Sequence, residues 1–335
     1  MQLRFLFTAI FILMMQAPRA QEPPLRVALA GISHGHSGWI LGRTGKTDVI
    51  VAGIWEPDTA LAAKAQRQYK LPASLFHTSL PAMLDALKPD AVLAFGSVYA
   101  HLEVTEAAAP RGIHVMVEKP LAANLAHARK MESLARKHRI HLLTNYETSW
   151  YPSVHTSLRL AADSNLAGAI RMARFNHGHQ GPKEIGCGPE FLAWLTDPVL
   201  NGAGALNDFG CYGANIMTAL MRDKAPVSVS AVIQASWNWT FNRKDMELYG
   251  DKTSFSAPDA ATLITRGPNG RPQERSVTAK EAQVYTDPFV YLAAVVQGRE
   301  TVAPWSLYSL ENNVMVVRIL EAAKISAKTG KSVRP

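Results

Sequence analysis

"LRVALAGISHGHSG", residues 25–38, runs from alternating large and small apolar residues into a glycine and then two histidines flanking another glycine. The apolar half reads as a short strand buried on both faces. Gly31 follows it directly, where a strand must turn tightly toward a helix. A strand, a glycine turn and a helix start, in that order, form the opening of the dinucleotide-binding fingerprint G-x-G-x-x-G. Here Ser33 takes the second glycine position and His36 the third, so the bare motif is weak. Its context strengthens it. The next apolar run ends in "IWEPD", which puts Glu56 25 residues after Gly31. A carboxylate at that place accepts both ribose hydroxyls of NAD and repels the 2′-phosphate of NADP. A metal site on His34 and His36 would need further ligands, and no cysteine lies in this half of the chain. The loop is therefore read as a nucleotide loop with no metal, in which an imidazole donates to the pyrophosphate or lines the nicotinamide end.

Outward from this loop, the runs "DVIVAGIW", "DAVLAFGS", "IHVMVEKP" and "IHLLTNYE" repeat the buried-strand pattern. Helical segments such as "DTALAAKAQRQYKL", with Asp58 placed to cap, lie between them. Strand–helix alternation of this kind predicts an α/β domain with a Rossmann-type, doubly wound parallel sheet over residues 25–148. After about residue 150 the runs lengthen ("AIRMARFNHGH", "VSVSAVIQASWNW", "DMELYGDKTSFSAP", "ATLITRG") and turn signals such as "PNG" separate them. Residues 149–335 are expected to form an α+β domain with a mainly antiparallel open sheet, closed by a helix over about 308–328.

The first 20 residues differ from the rest. Arg4, an apolar run from Phe5 to Met15 and a small-residue exit near Ala17 and Ala20 read as a secretory signal, too short to span a bilayer. The expected location is periplasmic or secreted, with no other membrane association. The leader has no Arg-Arg pair of the twin-arginine type. The net charge of +8 is scattered, and its densest run, Arg136 to Arg139, closes an amphipathic helix, so no nucleic-acid partner is expected. The two cysteines, Cys187 and Cys211, are too few for a disulfide scaffold, although an exported chain could join them.

"GIHVMVEKPLA", His101 in "SVYAHLEVTEAA", and "WLTDPVLNGAGALNDFGCYGAN" together resemble the signature segments of the Gfo/Idh/MocA oxidoreductases. The tyrosine of the last segment is similar to that of the glucose-fructose oxidoreductase and dihydrodiol dehydrogenase branch. The resemblance runs over essentially all of residues 25–335. It implies NAD as cofactor, a small carbohydrate or polyol substrate and a homo-oligomer. It carries catalytic roles to Lys119, Asp208 and Tyr212, and places Gly31, Ser33, His34, His36, Glu56, His101, Glu118 and Lys119 at the cofactor. The sequence departs from the family at the glycine loop, at Ser97-Val98 and at Glu147, where an arginine is frequent.

The chemistry of these residues is coherent. Asp208 and Tyr212, spaced i and i+4, share one face of a helix. Tyrosine is a poor base at neutral pH, and a nearby lysine ammonium lowers its pKa; Lys119 is expected to do this for Tyr212. A second His-Gly-His, His177 to His179, closes an expected strand, with both rings on one side. These histidines could recognise hydroxyls, act as a further base, hold a metal with Asp197, or simply end a strand. Trp194, Trp237 and Trp239 are candidates for stacking on a sugar, with core packing the default. The resulting expectation is an exported NAD-dependent oxidoreductase that keeps its cofactor. A redox-neutral, NAD-dependent glycosidase and a non-catalytic sugar sensor stand as alternatives.

Overall fold

The computed structural model describes residues 23–221 and 230–335; the expected secretory leader lies outside the described residues. The first domain comprises β1 (Leu25–Ala30), α1 (Ser37–Leu41), β2 (Val49–Trp55), α2 (Thr59–Tyr69), β3 (Phe76–His77), α3 (Leu80–Leu87), β4 (Ala91–Ala94), α4 (His101–Ala108), β5 (His114–Glu118), α5 (Leu125–His138) and β6 (Leu142–Asn145). Its strands pair in parallel in the order β3-β2-β1-β4-β5-β6. This is the doubly wound sheet that the apolar runs predict. The two-residue β3 at its edge has no readable period and escapes the sequence pattern. The strand order reverses between β1 and β4, and the crevice outside their carboxyl ends is where such sheets bind ligands. Val27, Ala28 and Leu29 are fully buried, so β1 is the sheet's centre. Asp58 caps α2 as its sequence suggests, accepting from the Ala60 and Leu61 amides at 2.8 and 3.1 Å. By contrast α1 has only five residues, too few to align the peptide dipoles of an ordinary fingerprint helix.

The second domain holds α6 (Pro152–Ala162), β7 (Ile170–Gly178), α7 (Pro189–Leu195), α8 (Cys211–Met221), β8 (Ser230–Ser236), β9 (Arg243–Gly250), β10 (Ser254–Ala257), β11 (Thr262–Arg266), β12 (Gln273–Ser276), α9 (Ala279–Ala282), α10 (Pro288–Val296) and α11 (Leu310–Thr329). Its sheet runs β12-β11-β10-β9-β7-β8, antiparallel except for the β7–β8 pair. The run "DMELYGDKTSFSAP" folds as a hairpin of β9 and β10 rather than as one strand. One face buries Phe175, Met246, Leu248, Phe255 and Leu263 beneath α6 and α8. The other leaves Met172, Val232 and Tyr249 exposed. The chain's last helices return to the first sheet: α10 packs on β2, and α11 lies against α5, α8 and β6. Both domains thus share buried apolar surface, which stabilises their mutual orientation.

Candidate functional site at the crevice between the domains

The glycine loop is built as its first position requires. Gly31 has φ +74°, and a Cβ there would lie 2.9 Å from the Gly96 backbone, so only glycine fits. Its amide donates to the Trp55 carbonyl and that of His34 to the Phe95 carbonyl, strapping the loop to the ends of β2 and β4. Ser33 Oγ accepts from Trp194 Nε1 at 3.1 Å, a link from α7 across the crevice. His34 lies buried beneath Phe191 and Trp194. Burial pushes its pKa down to about 3, so it is neutral. Its Nδ1 accepts the His36 amide, which leaves the proton on Nε2. His36 stacks on Trp39, and its Nδ1 donates to Glu118 Oε2 at 3.0 Å. Burial opposes the Glu118 charge, but the His36 hydrogen bond and the Lys119 ammonium outweigh it and the carboxylate stays ionised. Asn145 Nδ2 donates to Glu118 Oε1, and Trp150 Nε1 in turn holds Asn145.

Glu118 supplies the third donor that a metal on His34 and His36 would need; the three donor atoms lie within 4.8 Å of one another. The hydrogen bonds already account for the cluster, however. The protonated Nε2 of His34 has no lone pair for an ion while its Nδ1 accepts the His36 amide. Among the described residues His177 and His179 form no ligand cluster with Asp197; the Asp197 carboxylate instead accepts from the Val199 and Leu200 amides.

Glu56 is buried at the end of β2, its oxygens accepting the Ile32 and Asp58 amides at 2.9 Å each. Burial raises its pKa against the pull of those two donors. Each oxygen keeps a second lone pair, and the Asp58 carboxylate stands beside it. His101 is fully buried away from the crevice, its Nδ1 3.1 Å from the Leu121 carbonyl oxygen. It steadies the segment after Lys119 from behind.

Lys119 follows β5, and its Nζ donates to the Asp208 carbonyl at 3.0 Å and to Asp208 Oδ1. Asp208 Oδ2 accepts from Trp237 Nε1 at 2.8 Å. Asp208 belongs to a π-helical turn, Leu206–Gly210, that runs into α8, and such turns cluster at functional sites. Tyr212 follows on α8 with its ring 5.3 Å from Lys119 Nζ. Burial penalises both charges of the Lys119–Asp208 pair, yet their mutual attraction prevails: the Lys119 pKa rises and that of Asp208 falls. For Tyr212 the sequence expectation is corrected. Burial raises its pKa well above that of free tyrosine, and the nearby carboxylates of Glu147, Asp208 and Glu118 add to the rise. The Lys119 charge is committed to Asp208.

The second His-Gly-His divides. His179 lines the crevice, edge-on to Phe209, and its Nδ1 accepts the Gly181 amide. Its Nε2 therefore carries a proton, and burial lowers its pKa. His177 is fully buried against Tyr212 and stands behind the crevice. Trp239 lies under the Arg243 guanidinium. Cys187 lines the crevice and Cys211 is buried; both are free thiols, so no disulfide joins them.

Two features escaped the sequence reading. Lys244, at the start of β9, pairs with Glu147 at 2.9 Å, and Tyr151 donates its hydroxyl to the other Glu147 oxygen. Lys64 of α2 reaches Glu190 of α7 at 2.8 Å across the rim. Neither pair is periodic or local, and no motif marks it. The loop of residues 33–36, Lys64, Lys119, Glu147, His179, Glu190, Asp208, Tyr212 and Lys244 line a crevice of about 540 Å³, within the range of small-molecule sites. A dinucleotide fits the residues present. The Gly31 turn is intact, nothing lies within 4 Å of where a Gly35 Cβ would point, the Glu56 carboxylate stands at the end of β2 against the Ile32 amide, and Lys119 lines the crevice.

Comparison with known proteins agrees with this architecture. Residues 25–146 match the profile of the oxidoreductase family with NAD-binding Rossmann fold, and residues 155–272 match the GFO/IDH/MocA C-terminal domain. The chain is 27% identical over 224 residues to D-xylose 1-dehydrogenase [NADP(+)] of Haloarcula marismortui, covering 65% of this chain and 60% of that protein. It is 28% identical over 141 residues to trans-1,2-dihydrobenzene-1,2-diol dehydrogenase of Xenopus laevis, covering 42% and 40%. The chain thus spans less than two thirds of the length of these relatives. Two solved structures share the fold at low identity. Aldose-aldose oxidoreductase of Caulobacter crescentus, complexed with glycerol, aligns with TM-score 0.74 at 19% identity over 93% of this chain and all of that one. An inositol dehydrogenase homolog of Azotobacter vinelandii, complexed with NAD+, aligns with TM-score 0.77 at 16% identity, covering 92% and 96%. With both domains matched in sequence and in fold, the chain belongs to the Gfo/Idh/MocA oxidoreductase family.

Proposed function

We propose that this protein is an NAD-dependent oxidoreductase that interconverts a hydroxyl and a carbonyl on a carbohydrate or polyol. The observation that carries this reading is the buried Lys119–Asp208 pair beside Tyr212, on the floor of a crevice at the switch point of a dinucleotide-binding sheet. Two similar proteins support the substrate class: D-xylose 1-dehydrogenase [NADP(+)] of Haloarcula marismortui and 1,5-anhydro-D-fructose reductase of Ensifer adhaerens.

Bound nicotinamide supplies or accepts the hydride. The chain's own residues handle the oxygen. Lys119, held protonated by Asp208, donates toward it; Tyr212 and the Nε2–H of His179 are further donors at the crevice wall. This resting set of protons suits a carbonyl oxygen about to gain negative charge. In the alcohol-oxidising direction the same groups must first give up a proton.

Carboxylates at the end of β2, Glu56 and Asp58, support NAD over NADP by repelling a 2′-phosphate. Glu56→Ala is expected to bring the NADP affinity closer to that for NAD by about tenfold, the scale of one lost charge contact. An unchanged ratio in titrations of both dinucleotides would remove Glu56 from cofactor choice. The main test incubates the protein with NAD and with NADP and follows nicotinamide absorbance over a panel of sugars and polyols. Aryl glycosides in the same assay address redox-neutral cleavage, for which His179, and not the secluded His177, is placed. Turnover of neither class would favour a sensor. Quantifying nicotinamide released on denaturation tests retention of the cofactor. We further place the protein in the periplasm or outside the cell, on the leader-like first 20 residues. A second copy of this chain is the proposed partner, against the open sheet face that exposes Met172, Val232 and Tyr249. Cell fractionation and sedimentation test these two points.

A further inference from the structure

Three lysines line the crevice, Lys64, Lys119 and Lys244, and each is matched by a carboxylate lining the same crevice, Glu190, Asp208 and Glu147. Among the described lining residues there is no arginine and no lysine without a carboxylate partner. A substrate phosphate or carboxylate would enter against this balance, with the ionised Glu118 behind it.

The two pairs at the substrate end differ in access. Lys119 and Asp208 are 6% and 5% exposed, and so are closed to all but the reacting group. Lys244 and Glu147 are 22% and 29% exposed, open to a ligand in the crevice. Both ammonium groups lie within 6.0 Å of the Phe209 and Tyr212 ring centroids, so the pairs serve one compartment. Glu147 spends one lone pair on Lys244 and one on the Tyr151 hydroxyl, and each oxygen keeps another. Lys244 has donors to spare. A carboxylate acceptor and an ammonium donor held 2.9 Å apart match two adjacent hydroxyls, one donating and one accepting.

Building on the oxidoreductase reading above, we infer that Glu147 and Lys244 form a subsite for a pair of neighbouring hydroxyls on an uncharged polyhydroxylated substrate, and that they select against its acidic counterparts. The subsite sets specificity at a distance from the reacting carbon. Removing the Glu147 charge leaves Lys244 uncompensated, and an acid becomes the better ligand.

The test measures equilibrium binding to the NAD-loaded protein by quenching of tryptophan fluorescence. The probes are D-xylose, D-glucose and myo-inositol, each of the first two beside its aldonic or uronic acid. The parent is expected to bind at least one neutral probe at least tenfold more tightly than its acid. Lys244→Met should weaken neutral binding by about tenfold, the scale of one charge-assisted hydrogen bond. Lys244→Arg should restore much of it. Glu147→Gln should move the acid-to-neutral affinity ratio by about tenfold toward the acid, which a merely structural role would not do. Tyr151→Phe, which leaves the ion pair intact, controls for folding and should move binding by less than either. The inference is overturned if the parent prefers the acids, binds neither class, or keeps its ratio in Glu147→Gln. Neutral sugars bound without any change in nicotinamide absorbance would instead sink the redox reading and leave the subsite standing.

Discussion

Residues 34–36 and 177–179 spell the same tripeptide, His-Gly-His, one copy in each domain. In both copies the first histidine is buried and neutral, its pKa pushed down by burial to about 3. There the likeness ends. His34 finds a partner in the His36 amide. His177 has neither ring nitrogen in a well-formed hydrogen bond, although the Phe209 backbone lies near. The middle glycines also part ways. Gly35 has open space where a side chain would go, whereas a Cβ on Gly178, at φ +151°, would meet the Ser236 carbonyl oxygen at 1.9 Å. The first copy is a loop facing a ligand site, and the second is a strand end pressed against a neighbouring strand. Identical residues carry no fixed role; what the backbone packs against assigns it.

The two copies meet at Lys119 and Asp208, the first through Glu118 and the second through His179 beside Phe209. Breaking that meeting point should give the largest effect. Lys119→Met is expected to lower turnover by about 10²-fold or more with cofactor still bound, because a charged donor at the reacting oxygen is lost. Near-normal turnover would show that neither tripeptide serves chemistry through this pair.

A rise of about tenfold per pH unit is expected in kcat/KM for alcohol oxidation through the neutral range. Lys119 and Tyr212 both have raised pKa values, so the form that can take a proton grows only toward alkaline pH. Carbonyl reduction, which uses the protonated forms, should stay level until the alkaline side. An oxidation profile that levels off below the ordinary histidine pKa, where burial puts His179, would transfer the role to that residue.

The glycines give a direct contrast. Gly178→Ala should destabilise by roughly 3 kcal/mol or prevent folding, since strain and a backbone clash combine. Gly35→Ala should leave the melting temperature within the ordinary surface range, roughly ±0.5 kcal/mol, and weaken NAD binding instead. Equal losses of stability in the two variants would erase the distinction drawn between the copies.

The smallest effect belongs to His177. Replacing a buried polar ring that lacks partners by an apolar side chain removes a desolvation penalty. His177→Leu is therefore expected to leave the melting temperature at neutral pH unchanged or a little higher. The acid side sharpens this. A buried histidine whose folded pKa is about 3 binds fewer protons when folded than when unfolded, so stability is present above the unfolded value, about 6.5, and is lost as pH falls. The variant should lose stability less steeply below that pH, by about 1.4 kcal/mol per pH unit at most. A lower melting temperature at neutral pH would mean that His177 has a native partner.

Sequence alone determined the first sheet, the Gly31 turn and the Asp58 cap, while Lys119, Asp208 and Tyr212 were singled out by the family resemblance. The first three depend on local features: a run of buried β-branched residues, a positive φ, and a side chain within three residues of the amides it caps. Only tertiary structure decided the rest. The Ser33–Trp194 bond joins residues 161 positions apart, and Lys244 reaches Glu147 only because β9 pairs with β7 beside the crevice. The acidity of Tyr212 went opposite to the expectation drawn from one neighbouring lysine, because burial and three carboxylates from separate segments outweigh it. Spacing and side-chain geometry are properties of short stretches of chain. Burial and electrostatic fields are sums over everything that folds around a site, and no short stretch contains them.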